Sequence, residues 1–152
     1  MNGINQPLER IEKALPRDLE GIKDLLTISD LTLAGIEETE FWIVRGEEAA
    51  MPKACMGLET HSQDGLLRSV AVKKQYQKSG IGSGLVLHMM RVAKERKLQN
   101  LYLLTTTARD FFLRFGFFPI NRVGVEKEAI SKSREFEACS ETSTLMKLQI
   151  SQ

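Results

Sequence analysis

The chain has 152 residues, of which 42% are hydrophobic and 27% charged, and its formal net charge is +1. This length is typical of one compact domain, which we expect to span residues 1–152, and the composition excludes disordered and fibrous proteins. The small net charge excludes a globally basic nucleic-acid binder. The charge is nevertheless uneven: residues 1–64 hold 6 basic and 13 acidic residues (net −7), and residues 65–152 hold 15 and 7 (net +8).

The cysteine content and the apolar runs predict a location. Cys55 and Cys139 lie far apart in the sequence, so neither a disulfide framework nor a metal site is predicted. No apolar run approaches the roughly 20 residues of a membrane span. The first residues lack the basic start and apolar stretch of a signal peptide. We therefore expect a cytoplasmic protein with reduced thiols and without a membrane partner.

The first elements of the chain are a short strand, helices and a second strand. An edge strand is expected over residues 11–15, and Pro16 then opens a helix. A second short helix is predicted over residues 31–37, and the apolar run Phe41–Arg45 predicts a strand. The first helix is indicated by apolar residues at three- and four-residue spacing, namely Leu19, Ile22, Leu25 and Leu26.

Two further strands form a predicted hairpin. The segment ACMGLETH, residues 54–61, and the segment LLRSVAV, residues 66–72, are rich in apolar and β-branched residues. Residues 62–65 lie between them and end in Asp-Gly, a strong signal for a tight turn. These strands and the one before them are therefore expected to be antiparallel.

The second half alternates helices with strands. A helix is predicted over residues 82–96, a strand over 101–107, and a short helix over 108–115 that Gly116 ends. A strand, a helix and a strand in this order predict a βαβ unit with two parallel strands.

The predicted fold is therefore an α/β (α+β) protein with a mixed, mainly antiparallel sheet, a central parallel pair and flanking helices. Val72 and Thr105 then lie near the C-terminal ends of the parallel strands, where a ligand cleft is expected. The tail is predicted to hold a polar helix over residues 126–135 and a last strand over 144–150.

A glycine-rich turn, QKSGIGSG at residues 77–84, separates the strand ending at Val72 from the following helix. Glycine lets backbone N–H groups approach a ligand closely, and a helix N-terminus adds partial positive charge, so the turn predicts a phosphate site. Lys73, Lys74 and Lys78 lie in the same stretch. The glycine spacing matches neither a Walker loop nor the GxGxxG dinucleotide fingerprint.

This turn resembles the Q/R-x-x-G-x-G/A motif of the GNAT acyltransferase superfamily, with Gln77, Gly80 and Gly82 at the motif positions. The FFLRFGF segment at residues 111–117 and the order of elements also match that superfamily. The resemblance implies a GNAT-like fold with acetyl-CoA as co-substrate, its pantetheine arm paired with a strand backbone and its pyrophosphate held by the turn. The cofactor-binding residues implied are Val70, Ala71, Val72, Gln77, Lys78, Ser79, Gly80, Ile81, Gly82, Ser83 and Phe112.

Residues 57–72, 101–117 and 133–139 are most similar, within the superfamily, to the N-acetyltransferases encoded in bacterial arsenic-resistance operons. The implied activity is acetylation of the primary amine of a small amino-acid-like compound, which would detoxify an organoarsenical or phosphinic amino acid. Acetylation of a protein N-terminus or lysine is an alternative, and an acetyl-CoA-binding module without turnover is another. A homodimer through a C-terminal edge strand stays open.

Two polar residues on the predicted hairpin are candidates for the chemistry. Glu59 interrupts an otherwise apolar strand on which family members often carry a catalytic Glu, so it is the predicted base. An ion pair with Arg68 across the hairpin is the alternative role, and His61 or water is the alternative base. Arg68 is the predicted contact for an anionic group of the substrate, because guanidinium matches carboxylate geometry. Arg109 and Arg134 are the other candidates.

The family's usual general acid is absent. The Tyr of its F-Y-x-x-x-G-F segment is Phe112 here, and Thr105 stands where many members have Asn. A thiol with a pKa of about 8.5 leaves readily as the anion, so the loss of the acid slows transfer without abolishing it. Water, Tyr102 and Tyr76 are the candidate replacements.

Overall fold

Seven strands form one sheet in the computed structural model, which describes residues 9–47, 51–125, 133 and 143–151. The strand order is β1-β2-β3-β4-β5-β7-β6, and each neighbouring pair is antiparallel except β4 and β5. This topology confirms the predicted mixed sheet with its central parallel pair. The strands are β1 (Ile11–Lys13), β2 (Glu40–Val44), β3 (Ala54–His61), β4 (Asp64–Val72), β5 (Asn100–Thr105), β6 (Phe118–Pro119) and β7 (Thr144–Gln149).

Helices cover both faces of the sheet. They are α1 (Leu19–Ile28), α2 (Ile81–Glu95) and α3 (Arg109–Leu113), with short 3-10 turns at Pro16–Asp18, Ile36–Glu38, Lys74–Tyr76 and Arg122–Val125. Because successive strand side chains point to opposite faces, each face builds its own core. The α1 face buries Ile22, Leu25, Leu26, Phe41, Ile43, Cys55 and Ala71. The α2 face buries Leu85, Val86, Met89, Ala93, Trp42, Met56, Leu58 and Leu67. Among the described residues, no helix is long and apolar enough to cross a membrane.

The hairpin turn lies two residues earlier than the Asp-Gly signal predicts. Asp64 already pairs with His61 in the ladder, so the turn consists of Ser62 and Gln63, with Ser62 in the left-handed region at a φ of 57°. Gly65 is needed for packing instead, because a Cβ there would lie 2.9 Å from the side chains of Leu58 and Leu101.

Two of the helices predicted from the sequence are not found as predicted: one is shorter, and the other lies almost wholly outside the described residues. The segment predicted as a helix over residues 31–37 is helical only in the 3-10 turn Ile36–Glu38. The polar helix predicted over residues 126–135 falls almost wholly outside the described residues.

The two parallel strands separate soon after they meet. Their pairing covers three residue pairs, the last being Leu66 with Tyr102. Further along, β4 carries a bulge, since Cys55 pairs with Ala71 and Gly57 with Arg68, so that two residues of β4 stand opposite Met56. The sheet therefore opens between the second half of β4 and the end of β5.

A glycine of β3 provides a test of how tightly the sheet is packed. A Cβ at Gly57 would lie 2.6 Å from the Thr39 side chain and 3.3 Å from the Arg68 carbonyl oxygen, so Gly57→Ala should destabilise the fold by about 1–3 kcal/mol. Gly84→Ala is the matched control. Its Cβ would meet Ile11 at 3.9 Å inside a helix, and it should stabilise by about 0.5–1 kcal/mol. Urea unfolding measures both variants, and equal unfolding free energies for Gly57→Ala and Gly84→Ala would contradict the tight packing at Gly57.

Candidate active site

A cleft of about 960 Å³ opens where β4 and β5 separate. It lies at the C-terminal ends of the two parallel strands, as the order of elements predicts. Its walls come from the second half of β4, the end of β5, the start of α2, the helix α3 and the connection after α1. The described lining residues are those at positions 30–32, 67–70, 72, 76–78, 80, 82–83, 103–108, 111–112, 114 and 143.

The glycine-rich turn forms one end of this cleft. Lys78 and Gly80 adopt left-handed φ angles of 66° and 91°, and Gly80 caps the 15-residue helix α2. No atom lies within 4 Å of a Cβ built on Gly80, so that side of the turn is open. The first N–H groups of a helix have no acceptor within the helix, and they carry partial positive charge. The turn thus presents backbone donors to the cleft.

Side chains of the turn fasten it to the end of β4. The Gln77 amide donates a hydrogen bond to the Val72 carbonyl at 3.1 Å, and the Ser79 hydroxyl donates one to the Tyr76 carbonyl. Lys53 lies over the Tyr76 ring at 4.9 Å from its centroid. The Gln77 and Ser79 side chains therefore hold the shape of the turn.

The structure brings most of the predicted cofactor-binding residues together at the cleft. Three do not line it. Ala71 packs with the α1 core because strand side chains alternate, Ile81 faces the α2 core, and Ser79 bonds back to its own turn. Those that line the cleft are Val70, Val72, Gln77, Lys78, Gly80, Gly82, Ser83 and Phe112.

Phenylalanines of α3 form the apolar wall of the cleft. The Phe112 ring is 5% exposed and packs edge-on against Phe111 at 5.0 Å and Phe117 at 5.7 Å between centroids. Among the described lining residues, the one phenol is that of Tyr76. Tyr102, the other tyrosine, is buried at 3% exposure and does not line the cleft.

Glu59 lies in a buried ion pair. One carboxylate oxygen accepts a hydrogen bond from Arg68 Nη1 at 2.7 Å, and the other is 2.7 Å from His61 Nε2. Glu59 is 4% exposed and is not among the described residues that line the cleft. The Arg68 side chain is fully buried, although Arg68 belongs to the cleft wall. The geometry thus matches the cross-hairpin ion pair, and the roles of base and substrate contact stay predictions.

The ion pair continues into the β4 bulge. Arg68 Nε donates a hydrogen bond to the Ser69 hydroxyl at 3.0 Å, and the Cys55 thiol donates one to the Ser69 carbonyl at 3.3 Å. Burial raises the pKa of the Cys55 thiol to about 12, so this group remains a protonated donor at neutral pH. The pattern of residue types gave no signal for this connection, because neither Ser nor Cys marks a bulge.

A second ion pair lies away from the cleft. Glu40 on β2 bonds Arg96 at 2.7 Å and contacts Lys13 at 2.7 Å, and the hydrogen bond from Arg96 is the main cause that lowers the pKa of Glu40 to about 2. Arg96 also lies over the Trp42 ring at 5.5 Å. This pair joins the end of α2 to the sheet. His88 has a pKa lowered chiefly by burial, and its ring lies 6.5 Å from that of Trp42.

Residues 37–119 match the family model described as the acetyltransferase (GNAT) domain. The chain belongs to the GNAT acetyltransferase family. The resemblance carried by Gln77, Gly80 and Gly82 is thereby confirmed at the level of the family.

Curated relatives of this GNAT protein include two named amino-acid acetyltransferase. The one from Proteus mirabilis is 28% identical over 142 residues, which are 84% of this chain and 31% of that protein. The one from Mycobacterium tuberculosis is 27% identical over 132 residues, which are 80% of this chain and 75% of that protein. The chain therefore spans about a third of the length of the first relative.

Solved structures show the same fold. The N-acetylglutamate synthase from Neisseria gonorrhoeae, complexed with coenzyme A and N-acetyl-glutamate, has a TM-score of 0.77 at 19% identity. The match covers 97% of this chain and 36% of that one. A Mycobacterium tuberculosis protein in complex with CoA has a TM-score of 0.72 at 21% identity, with 95% and 100% of the two chains covered. The predicted GNAT fold is confirmed.

Removal of one partner of the buried ion pair should be strongly destabilising. Arg68→Met leaves the Glu59 carboxylate buried beside an apolar side chain, and we expect a loss of about 3–5 kcal/mol in unfolding free energy. The double variant Arg68→Met, Glu59→Gln removes the charge as well and should be more stable than the single one. Arg96→Met, in the half-exposed pair, should lose about 1 kcal/mol or less. Urea unfolding measures all three, and a double variant that is no more stable than Arg68→Met would contradict the pairing.

Proposed function

We propose that the protein is an acetyl-CoA-dependent N-acetyltransferase that acetylates the primary amine of a small amino-acid-like compound. The observation that carries this proposal is the opening between β4 and β5 with the glycine-rich turn at its end, in a chain of the GNAT family. The names of the two curated relatives support an amino acid as acceptor. The proposed location is the cytoplasm, where thiols such as Cys55 stay reduced.

The residues at the cleft fit coenzyme A. The open side of Gly80, the first turn of α2 and the exposed Lys78 offer backbone donors and positive charge to a pyrophosphate. The register pairs no residue of β5 with β4 beyond Leu66, so backbone groups on that edge face the cleft and suit an extended pantetheine arm. Both features lie in the more basic half of the chain.

Acetyl-CoA, when bound, would supply an activated thioester. The residues of the protein have three roles: they orient the reactants, donate hydrogen bonds where negative charge develops, and exclude water. The backbone N–H of Val70, the second residue of the β4 bulge in the cleft wall, is the proposed oxyanion donor. The rings of Phe111 and Phe112 close the apolar side. Since Phe112 carries no hydroxyl, Tyr76 or water is left to protonate the thiolate.

The cleft also carries groups that suit a zwitterionic acceptor. Asp30 and Arg114 line it with charges of opposite sign, and Thr105, Thr106 and Thr107 add hydroxyl groups. An amino acid presents an ammonium group and a carboxylate, which match these partners. Arg68, the anion contact predicted from the sequence, lines the cleft with a fully buried side chain, so the exposed Arg114 is the more accessible guanidinium.

The acceptor class is tested by release of the CoA thiol from acetyl-CoA against a panel of amines. The panel holds common amino acids, a phosphinic amino acid, an organoarsenical amine, and peptides with a free N-terminus or a lysine. We expect release with members of the amino-acid group, and the arsenic-operon resemblance favours the phosphinic and arsenical compounds within it. Release with peptides only, confirmed by intact mass, would show a protein acetyltransferase. Tight acetyl-CoA binding without release from any amine would show a binding module.

Substitution of a glycine in the turn tests where the pyrophosphate binds. A side chain at Gly82 would start beside Phe111 and Val72 on the cleft side, so Gly82→Asp places a carboxylate near the phosphates. We expect CoA affinity, measured by calorimetry, to fall by at least about tenfold. Gly84→Asp makes the same charge change but points toward Ile11, and its affinity should stay near that of the parent protein. Equal affinities for the two variants would refute this placement.

A further inference from the structure

The β4 bulge places a serine in a conformation that side chains rarely adopt. Ser69 has a φ of 54°, in the left-handed region, and with Val70 it stands opposite the single residue Met56 of β3. A non-glycine residue persists in this region only where its surroundings hold it. Ser69 and Val70 both belong to the cleft wall, so whatever holds the bulge also sets the direction of the backbone there.

Two buried side chains form hydrogen bonds with different atoms of Ser69. Arg68 Nε donates to its hydroxyl at 3.0 Å, and the Cys55 thiol donates to its carbonyl at 3.3 Å. Arg68 is held in turn by the Glu59 carboxylate at 2.7 Å. All four residues are at most 5% exposed, so water does not compete for these bonds. A continuous series of hydrogen bonds therefore connects Glu59 through Arg68 to Ser69 in the bulge.

We propose that Glu59 is a positioning residue, which acts through Arg68 and Ser69 to fix the β4 bulge and with it the direction of the Val70 N–H group. This inference rests on the proposed acetyl transfer, since that reaction needs a donor aimed at the developing oxyanion. Cys55 supports the same bulge from the same face of the sheet, since Cys55 and Glu59 lie four residues apart on β3. Glu59 thus serves the reaction without lining the cleft, through Arg68 in the cleft wall.

The contacts of Glu59 separate this role from that of a base. Both of its carboxylate oxygens are engaged, by Arg68 and by His61, and it does not line the cleft. The neighbour of Glu59 on the cleft side is Arg68, whose guanidinium stays protonated in proteins and so relays no proton. A base role would require the buried pair to open in each turnover.

Steady-state kinetics test the inference with the amine that releases most thiol. We expect Glu59→Gln and Ser69→Ala each to lower kcat by about tenfold, with the KM for acetyl-CoA little changed and the shape of the pH–rate profile kept. The double variant should be no slower than the slower single one, since both act on the same bulge. Ser69→Gly should retain more activity than Ser69→Ala, because glycine adopts positive φ without strain.

Glu40→Gln is the control. It weakens the Glu40–Arg96 pair, which is also a carboxylate–guanidinium contact at 2.7 Å but lies away from the cleft, and kcat should stay that of the parent protein. Recovery of the Glu59→Gln rate at high pH, where free amine is abundant, would show a base instead and overturn the inference. Additive losses with Ser69→Ala, or equal rates for the glycine and alanine variants, would also overturn it.

A measurement without substrate tests the bulge directly. The backbone N–H resonances of Ser69 and Val70 should shift in Glu59→Gln and Ser69→Ala and stay in place in Glu40→Gln. Unchanged resonances in both cleft variants would overturn the inference even if their activity fell. If the parent protein transfers acetyl to no amine, the proposed function fails while the resonances still decide whether Glu59 holds the bulge. If Glu59→Gln does not fold, the Ser69 variants supply both readouts.

Discussion

The separation of β4 from β5 is the constraint on which the cleft depends. Three residue pairs join the parallel strands, and the two strands are no longer paired after Leu66 and Tyr102. A backbone edge that leaves its ladder must find other partners or face solvent. Here that edge borders a cleft of about 960 Å³ at the centre of the sheet. A ligand that offers amide groups along an extended chain would complete the interrupted ladder.

The bulge of β4 contributes to the separation of β4 from β5. A bulge increases the local twist of a strand and re-aims its side chains, so β4 turns away from β5 where Ser69 enters the left-handed region. The surrounding side chains make this conformation the preferred one, through the bonds of Arg68 and Cys55 to Ser69. The buried polar groups of the hairpin therefore specify a backbone shape more than they add stability, which agrees with the small net gain expected of buried ion pairs.

The sequence predicted the sheet well because its signals are local. The strand at residues 54–61 has the bounds expected from its apolar run, and the glycine-rich turn before α2 carries a motif with fixed spacing. The Asp-Gly pair placed the turn two residues too late, since Gly65 is required by the close approach of Leu58 and Leu101. That requirement comes from residues distant in the sequence, and no local pattern contains it.

In the candidate site, the glycine-rich turn could be predicted from the sequence, whereas the role of Glu59 could not. Backbone groups of a glycine-rich turn can be placed from spacing, whereas the role of Glu59 depends on which groups touch its two oxygens. A carboxylate in an apolar strand is compatible with a base and with an ion pair. Arg68 and Arg114 both line the cleft, and only the geometry shows that the first is fully buried and the second exposed. The bulge could not be predicted from the sequence, because its residue with a left-handed φ is a serine and not a glycine.

The two carboxylate–guanidinium pairs show how burial changes the meaning of the same contact. Glu40 and Arg96 are each about a third exposed, and the lowered pKa of Glu40 means that its contribution to stability is present above the unfolded-state pKa and is lost as the pH falls toward about 2. Solvent screens that pair, so it adds little to the fold. Glu59 and Arg68 meet at the same distance with almost no solvent exposure, and removal of either side chain takes an ion-pair partner from a buried charge. The buried pair is therefore suited to hold one backbone conformation beside the cleft, and the exposed pair is suited to join a helix end to the sheet.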